Sequence, residues 1–332
     1  MEFNKLKDVP SLHQIKQAAQ QIEDLVLKSP LEYAPRLSES FGANIYLKRE
    51  DLQGVRSYKI RGAYHKIMNI PEDLRAQGVV AASAGNHAQG VALSCAKLDI
   101  QAYIFMPKTT PLQKVEAVRF HGKEKVRIKL VGNTFDEAYK AAQVFCQETK
   151  AIFIPPFDDY DIIAGQATVT LEILDQLALP ADYLFLAIGG GGLAAGASLV
   201  LKELSPTTKL IGVEPELAPS MSASLAAHEV ITLSEIDSFV DGASVKRVGS
   251  KNFAICEAEL NRMVLVNKKV LCQTMLDLYE FYGMIVEPAG ALSVAALEQM
   301  RTEIKGKTVV CIISGGNFDT KRFPEIKLIA QN

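Results

Sequence analysis

Two kinds of apolar pattern alternate along this chain, and they predict strands and helices in turn. Short, nearly all-apolar runs are typical of buried strands, whereas longer runs with apolar residues three and four positions apart predict helices. From about residue 77 the predicted elements are strand 78–82, helix 86–98, strand 102–106, helix 111–120, strand 126–131 and helix 134–149. Alternation of this length predicts right-handed crossovers and a parallel sheet.

The second half of the chain repeats the alternation. Its predicted elements are strand 183–188, helix 193–204, strand 209–214, helix 270–282, helix 289–300 and strand 308–313. We therefore predict an α/β fold with two open, twisted α/β domains. The small domain comprises residues 76–154, and the large domain comprises residues 1–75 together with 155–332.

The first 75 residues contain two further predicted elements. A helix opens at Ser11, where Gln14 completes a capping box, and its apolar spacing continues until Ser29 and Pro30 end it. Residues 45–48 form a short predicted strand.

Composition excludes several classes of protein. The formal net charge of the 332 residues is -2, so no basic field favours nucleic acid or an anionic membrane surface. The 5 cysteines form no C-x-x-C pair, which is typical of reduced, buried thiols in a cytoplasmic protein. The start of the chain lacks the pattern of a signal peptide. The uncharged run 183–201 is long enough to span a bilayer, but four consecutive glycines interrupt it, so we predict a strand, a turn and a helix there.

Lys59 is the candidate reactive residue. A lone lysine is usually a solvated surface cation, but three polar loops follow later in the chain, each after a predicted strand. These loops are Ser83-Ala84-Gly85-Asn86-His87, Gly189-Gly190-Gly191-Gly192 and Ser314-Gly315-Gly316-Asn317. An amine, a glycine loop that can bind an anion and two polar loops that can contact the rest of a ligand suit an enzyme that holds an aldehyde cofactor carrying a phosphate. The sequence therefore predicts pyridoxal 5'-phosphate (PLP) as the cofactor.

The four glycines at 189–192 form the candidate phosphate site. Glycine lets backbone N–H groups approach an anion closely, and the start of the following helix adds a partial positive charge. A tight turn required only by packing is the alternative. Gly189, Gly191 and Ala194 also fit G-x-G-x-x-A, with Glu214 placed as a ribose-binding acid, so a dinucleotide-binding enzyme competes with the PLP interpretation. That reading leaves Lys59 and the other two loops without a role.

The remaining two loops have a functional and a structural interpretation each. Ser83, Ala84 and Gly85 precede the predicted helix that starts near Asn86, and this loop either binds an anion such as an amino-acid carboxylate or forms an ordinary helix cap. His87 is better explained as a structural residue than as a catalyst. Ser314 ends a strand at the edge where open α/β sheets bind ligands, and it either contacts a ring nitrogen or completes a turn.

Together these segments resemble the fold-type II PLP enzymes (tryptophan synthase β-like), and among them the threonine dehydratases. The resemblance covers almost the whole chain, with the cofactor between the two domains. It rests on Leu47-Lys48-Arg49-Glu50-Asp51-Leu52, Ser57-x-Lys59-x-Arg61-Gly62-Ala63-Tyr64, Ala82 to Gly90, Met106-Pro107-x-Thr109-Thr110-Pro111-x-Gln113-Lys114, the four glycines, Val240-Asp241-Gly242-Ala243-Ser244-Val245, Glu287-Pro288-Ala289-Gly290-Ala291 and Ser314 to Asn317.

The resemblance implies a role for each site residue. Lys59 binds the cofactor aldehyde covalently and, once freed, acts as the general base. The implied cofactor contacts are Tyr58 beside the ring, Asn86 at the ring hydroxyl, Gly189, Gly190, Gly191, Gly192 and Leu193 around the phosphate, and Ser314 at the ring nitrogen. The implied substrate contacts are Ser83, Ala84, Gly85, Asn86, His87 and Gly242, with Glu287 nearby.

The resemblance also implies the reaction, a β-elimination that converts L-threonine to 2-oxobutanoate and ammonia, with L-serine as a secondary substrate giving pyruvate. A cytoplasmic homodimer or homotetramer acting on a small amino acid is expected. A serine racemase, or a dehydratase for another β-hydroxy amino acid, is the nearest alternative. Related racemases carry a serine where this chain has Ala84, which argues against racemisation. A non-catalytic binding protein is disfavoured because Lys59 and the loops are all present.

Two departures from the family pattern carry expectations. Biosynthetic relatives usually continue into a C-terminal regulatory domain that senses isoleucine, and we expect none here because the chain ends at Asn332. Some relatives bind a divalent cation after a Val-Glu-Pro strand. Here Glu214 is followed by Ala218 without an aspartate nearby, so we expect no metal site.

Overall fold

Two β-sheets organise the chain. The structure, a computed structural model, describes residues 8–331. The strands of this range are β1 (Leu31–Tyr33), β2 (Asn44–Arg49), β3 (Val79–Ala82), β4 (Ala102–Met106), β5 (Val126–Leu130), β6 (Ile152–Phe153), β7 (Tyr183–Ala187), β8 (Lys209–Pro215), β9 (Arg262–Val266) and β10 (Thr308–Ile313).

Helices surround both sheets. They are α1 (Leu12–Gln21), α2 (Pro35–Phe41), α3 (Lys59–Met68), α4 (Glu72–Arg75), α5 (Asn86–Leu98), α6 (Leu112–Gly122), α7 (Phe135–Thr149), α8 (Tyr160–Gln176), α9 (Gly192–Leu204), α10 (Ser220–Ala227), α11 (Ser250–Glu259), α12 (Lys268–Tyr282), α13 (Pro288–Ala295), α14 (Arg301–Ile304) and α15 (Phe323–Gln331).

The larger sheet has six strands in the order β1-β2-β10-β7-β8-β9. Only β1 runs antiparallel to its neighbour, and the other strands are parallel. Alternate residues of β10 face opposite sides: Val309 and Cys311 join one apolar cluster, and Val310 and Ile312 join the other. Burial on both faces explains why this strand reads as a continuous apolar run in the sequence.

The smaller sheet has four parallel strands in the order β5-β4-β3-β6. Every residue of β3 is buried, whereas the edge strand β5 is only partly covered. Helix α3 packs against both α5, which follows β3, and α8, which precedes β7. The first residue of α3 therefore lies where elements of the two sheets meet.

Most predicted elements are found, and the α/β class with parallel sheets is confirmed. The capping box is present, because Ser11 Oγ accepts from the Gln14 N–H and Gln14 Oε1 accepts from the Ser11 N–H. The predicted extension of this helix to Ser29 was wrong, since α1 ends at Gln21. The apolar residues after Gln21 lie in a non-helical segment and are buried against Val55 and Ile60. Their spacing therefore reflects tertiary packing.

Two other predictions have definite outcomes. The helix predicted at 289–300 is α13 followed by a 3-10 turn over Ala296–Met300. The uncharged run 183–201 forms β7, the glycine turn and most of α9. Across residues 8–331, none of the helices combines the length and the apolar character needed to cross a membrane.

Candidate active site

Lys59 is the first residue of α3, and the chain before it is tied to the end of β10. The Tyr58 N–H donates to the Ser314 carbonyl at 3.2 Å. Ser57 forms an isolated antiparallel bridge with Gly315. These two links place Lys59 at the carboxyl edge of the larger sheet, which is where open α/β sheets bind ligands.

The Lys59 amine lies beside a backbone carbonyl and an aromatic ring. Its Nζ donates to the Pro156 carbonyl at 2.9 Å, and it lies 5.3 Å from the centre of the Tyr58 ring. Burial lowers the pKa of Lys59 to about 8, and the negative charge of Glu287 acts in the opposite direction. Because only the neutral amine attacks a carbonyl, this shift increases the reactive fraction at neutral pH.

The Asn86 side chain is held at both ends. It opens α5, and its Nδ2 donates to Glu287 Oε1 at 2.6 Å while its Oδ1 accepts from Asn317 Nδ2 at 2.7 Å. When Glu287 is ionised it can only accept, and this fixes the orientation of the Asn86 amide. The second Nδ2 proton of Asn86 remains for a ligand oxygen.

Glu287 is a buried carboxylate immediately before α13. Burial raises its pKa to about 7, the negative charge of Asp241 adds to the increase, and the hydrogen bond from Asn86 opposes it. A Cβ atom added at Gly242 would lie 3.6 Å from Glu287 Oε1, so the predicted residue Gly242 borders the same carboxylate. Lys114 of α6 forms an ion pair with Asp241, which joins the two sides of the site.

The four glycines form a turn with unsatisfied N–H groups. Gly191 has φ +94, a left-handed conformation that favours glycine. Within residues 8–331, the N–H groups of Gly190 to Leu193 donate to no acceptor. They lie at the start of the 13-residue helix α9, where the helix dipole favours an anion.

Packing leaves no room for larger residues in this turn. A Cβ added at Gly190 would lie 2.2 Å from the Phe157 ring. Pro156, which comes before Phe157 in the chain, is the residue whose carbonyl accepts from Lys59 Nζ. The turn and the amine are thus connected through one short segment, and both fit a cofactor that carries an aldehyde and a phosphate.

The Ser83–His87 loop leaves donors and space for a second anion. The Ser83 N–H donates to the Phe105 carbonyl at 3.1 Å, and the Gly85 N–H donates to Ser83 Oγ at 3.2 Å. Beyond Gly85 lies open space, since no atom would approach an added Cβ within 4 Å. In the described range, the N–H groups of Asn86 and His87 have no acceptor, and Ala84 contributes only a methyl group.

His87 is a structural residue of this loop. It is buried, and its Nε2–H donates to the Ile154 carbonyl at 2.9 Å. Burial, with the nearby positive charge of Lys59, lowers its pKa to about 3. The imidazole therefore stays neutral at physiological pH, and its single ring proton donates to the Ile154 carbonyl.

Ser314 directly follows β10 and is almost fully buried. Its hydroxyl donates to the Ala289 carbonyl at 3.2 Å. A hydroxyl has one proton, so Ser314 donates either to Ala289 or to a bound ring nitrogen, and rotation about one bond exchanges the two.

Three residues near the site were missed by sequence reasoning: Pro156, Phe157 and Asn252. Asn252 donates to the Gly190 carbonyl from α11, and the other two residues border Lys59 and Gly190. None of them lies in a recognisable motif. Pro156 contributes a backbone carbonyl, Phe157 contributes a packing ring, and Asn252 does not follow a glycine-rich loop.

Fold and site together define an enzyme of the fold-type II class that binds PLP. The chain belongs to the pyridoxal-phosphate dependent enzyme family, which it matches over residues 22–315. It is 51% identical over 310 residues to the biosynthetic L-threonine dehydratase of Halalkalibacterium halodurans, covering 93% of this chain and 75% of that protein.

Solved structures give the same assignment. The processed form of threonine deaminase isoform 2 from Solanum lycopersicum has a TM-score of 0.91 and 39% identity, covering 97% of this chain and 90% of that one. Maize serine racemase has a TM-score of 0.90 and 28% identity, covering 96% and 97%. The predicted family, fold class and cofactor are confirmed, and the dinucleotide interpretation of the glycine turn gains no support.

Proposed function

We propose that this protein is a threonine dehydratase that converts L-threonine to 2-oxobutanoate and ammonia, with L-serine to pyruvate as a secondary activity. The observation that carries the proposal is the 51% identity, across 93% of the chain, to a relative named for that reaction. The serine racemase structure is more distant, at 28% identity.

Lys59 has two tasks in this reaction. Its amine holds the cofactor aldehyde before substrate arrives, and afterwards it accepts the proton of the substrate α-carbon. PLP, when bound, supplies the electron sink that allows this proton to leave. A pKa of about 8 suits both tasks, because about a tenth of the amine is neutral at pH 7 and the neutral amine is basic enough to take a proton.

The loops orient the substrate and the cofactor. The free N–H groups of Asn86 and His87 bind the substrate carboxylate, and those of the glycine turn bind the cofactor phosphate. Ser314 offers a neutral hydroxyl, which, unlike a carboxylate, does not stabilise a proton on the ring nitrogen. With Ser314 at this position, bound PLP would act as a weaker electron sink than it would beside a carboxylate.

An assay for oxo-acid release tests the proposal. Purified protein with PLP is incubated with L-threonine and with L-serine, and the expected products are 2-oxobutanoate and pyruvate with equal amounts of ammonia. Chiral analysis of the remaining serine distinguishes a racemase, for which D-serine would accumulate. Absence of oxo-acid from both substrates would contradict the proposal, and K59A is the inactive control.

We also propose that the enzyme needs no divalent cation at Glu214. The carboxylate already accepts from the N–H groups of Met221 at 2.6 Å and Ser222 at 2.9 Å. Its oxygens are therefore turned towards the start of α10 rather than towards an ion. Activity that survives treatment with EDTA supports this assignment, and loss that Mg²⁺ restores would oppose it.

Two further expectations follow from the resemblance to the family. We propose that the enzyme acts in the cytoplasm and assembles as a homodimer or homotetramer. Light scattering of the purified protein measures the assembly directly, and a monomer at micromolar concentration would contradict it.

A further inference from the structure

Asn252 makes an unusual pair of contacts beneath the glycine turn. It is the third residue of α11, it is fully buried, and its Nδ2 donates to the Gly190 carbonyl at 2.7 Å and to the Phe157 carbonyl at 3.3 Å. Both partners are carbonyl oxygens, so the amide nitrogen must face them. The Asn252 Oδ1 atom is buried and has no hydrogen-bond partner in the described range.

The Gly190 carbonyl is held by a second donor, the Gly249 N–H at 3.0 Å. The Gly190–Gly191 peptide bond is trans and planar, so this carbonyl and the Gly191 N–H point in opposite directions. Two donors on the side of α11 therefore turn the Gly191 N–H to the other side, where it has no acceptor in residues 8–331.

The start of α11 is itself fixed in place. Asp158 accepts from the N–H groups of Ser250 at 3.0 Å and Lys251 at 2.8 Å. The residue before it, Phe157, packs its ring against Gly190. The segment that fixes the start of α11 and packs against Gly190 thus begins next to Pro156, whose carbonyl accepts from Lys59.

We propose that Asn252 is a positioning residue that sets the orientation of the glycine turn for phosphate binding. It never touches the cofactor; it acts by holding the Gly190 carbonyl away from the anion and the Gly191 N–H towards it. The inference rests on the assignment of the glycine turn to the cofactor phosphate. An asparagine that only packs α11 against α9 would affect folding without regard to that phosphate.

Binding of two ligands separates these roles. PLP and pyridoxal, which lacks the phosphate, are titrated into the full-length apoprotein. The dissociation constant of pyridoxal divided by that of PLP measures the contribution of the phosphate. The variants are N252A, which removes the amide, and N252D, which places a carboxylate against two carbonyls. A carboxylate in the first turn favours a helix, so N252D retains α11. N267D, at the exposed cap of α12, is the matched control.

The ratio should fall about tenfold in N252A and about a hundredfold in N252D, and it should not change in N267D. Pyridoxal affinity should stay within about threefold in every variant. Equal weakening of both ligands, an unchanged ratio, or unfolding of both Asn252 variants would overturn the proposal. A wild-type protein without any preference for PLP would instead overturn the assignment of the glycine turn.

Discussion

Asn86 and Glu287 are 201 residues apart in the chain, yet the Nδ2 atom of one donates to the Oε1 atom of the other at 2.6 Å. The hydrogen bond joins the start of α5 to the start of α13. Glu287 is a buried carboxylate, and burial and the negative charge of Asp241 raise its pKa against the opposing hydrogen bond from Asn86. This environment makes Glu287 a sensitive reporter of pH.

Replacement of Glu287 by glutamine should remove a pH-dependent loss of stability. The folded pKa of about 7 lies above the ordinary value of 4.5, so the native state binds the extra proton between these limits. Stability therefore declines as pH rises from about 4.5 to 7, since burial of the charged form costs free energy. E287Q should gain about 2–3 kcal/mol relative to wild type between pH 5 and pH 8.

Urea unfolding of the apoproteins at the two pH values measures this gain. E216Q, at an exposed glutamate, is the control for the substitution itself. A constant difference between E287Q and wild type at both pH values would show that Glu287 does not titrate in this range.

The glycine turn predicts a contrast between two glycine-to-alanine variants. Gly191 and Gly306 have φ values of +94 and +72, so alanine is strained at either position by about 1 kcal/mol. An added Cβ at Gly191 would also lie 2.9 Å from Asn252 Cβ, whereas none of the described atoms lies within 4 Å at Gly306. G191A should therefore lose cofactor affinity, and G306A should lose only stability. Absorbance titration with PLP measures the first effect, and equal affinities would contradict the assignment.

A buried ion cluster behind Lys59 should dominate the stability of this region. The Arg61 guanidinium contacts Glu50 Oε1 at 2.7 Å and Glu172 Oε1 at 2.7 Å, and Arg61 and Glu50 are fully buried. Removing the cation leaves the buried Glu50 without its ion-pair partner, so R61A should cost about 3–5 kcal/mol. Urea unfolding tests the loss, with R119A at the exposed pair with Glu116 as the control. Similar urea midpoints for R61A and R119A would show that the cluster does not dominate the stability of this region.

Capture of an aldehyde by the apoprotein should depend on pH in a defined way. In the proposed function the neutral Lys59 amine is the nucleophile, and the neutral fraction increases as pH rises through about 8. The rate of pyridoxal binding should therefore be half-maximal near pH 8 and level off above about pH 9. Stopped-flow absorbance measures the rate, with K59A as the blank. A rate that keeps rising to pH 10 would indicate an ordinary, solvated lysine.

The sequence predicted elements best where burial or periodicity was strong. The bounds of α5, β4 and β10 agree with those predicted, because an apolar run between polar loops marks each end. Helix α8 was missed altogether. Its residues 162–170 are all buried between other helices, so no polar face marks a helical period. The end of α1 was misplaced because apolar residues beyond Gln21 continue a helical spacing without helical backbone.

The site shows the same limit at the level of single residues. Lys59 and Ser314 lie in motifs that follow strands of the larger sheet, and Asn86 follows a strand of the smaller one, so each is expected at the carboxyl edge of its sheet. The hydrogen bond from Asn317 to Asn86 joins the two edges. Pro156 and Asn252 reach the site only through tertiary packing, and each acts on or through a backbone carbonyl. Such contacts depend on the path of the chain and leave no pattern in the sequence.

The covalent attachment of the cofactor to Lys59 is the central claim, and one measurement tests it most directly. The holoenzyme is reduced with borohydride, digested, and its peptides are mapped by mass spectrometry. The account predicts a single pyridoxyl group on Lys59. A label on another lysine, or none, would contradict it.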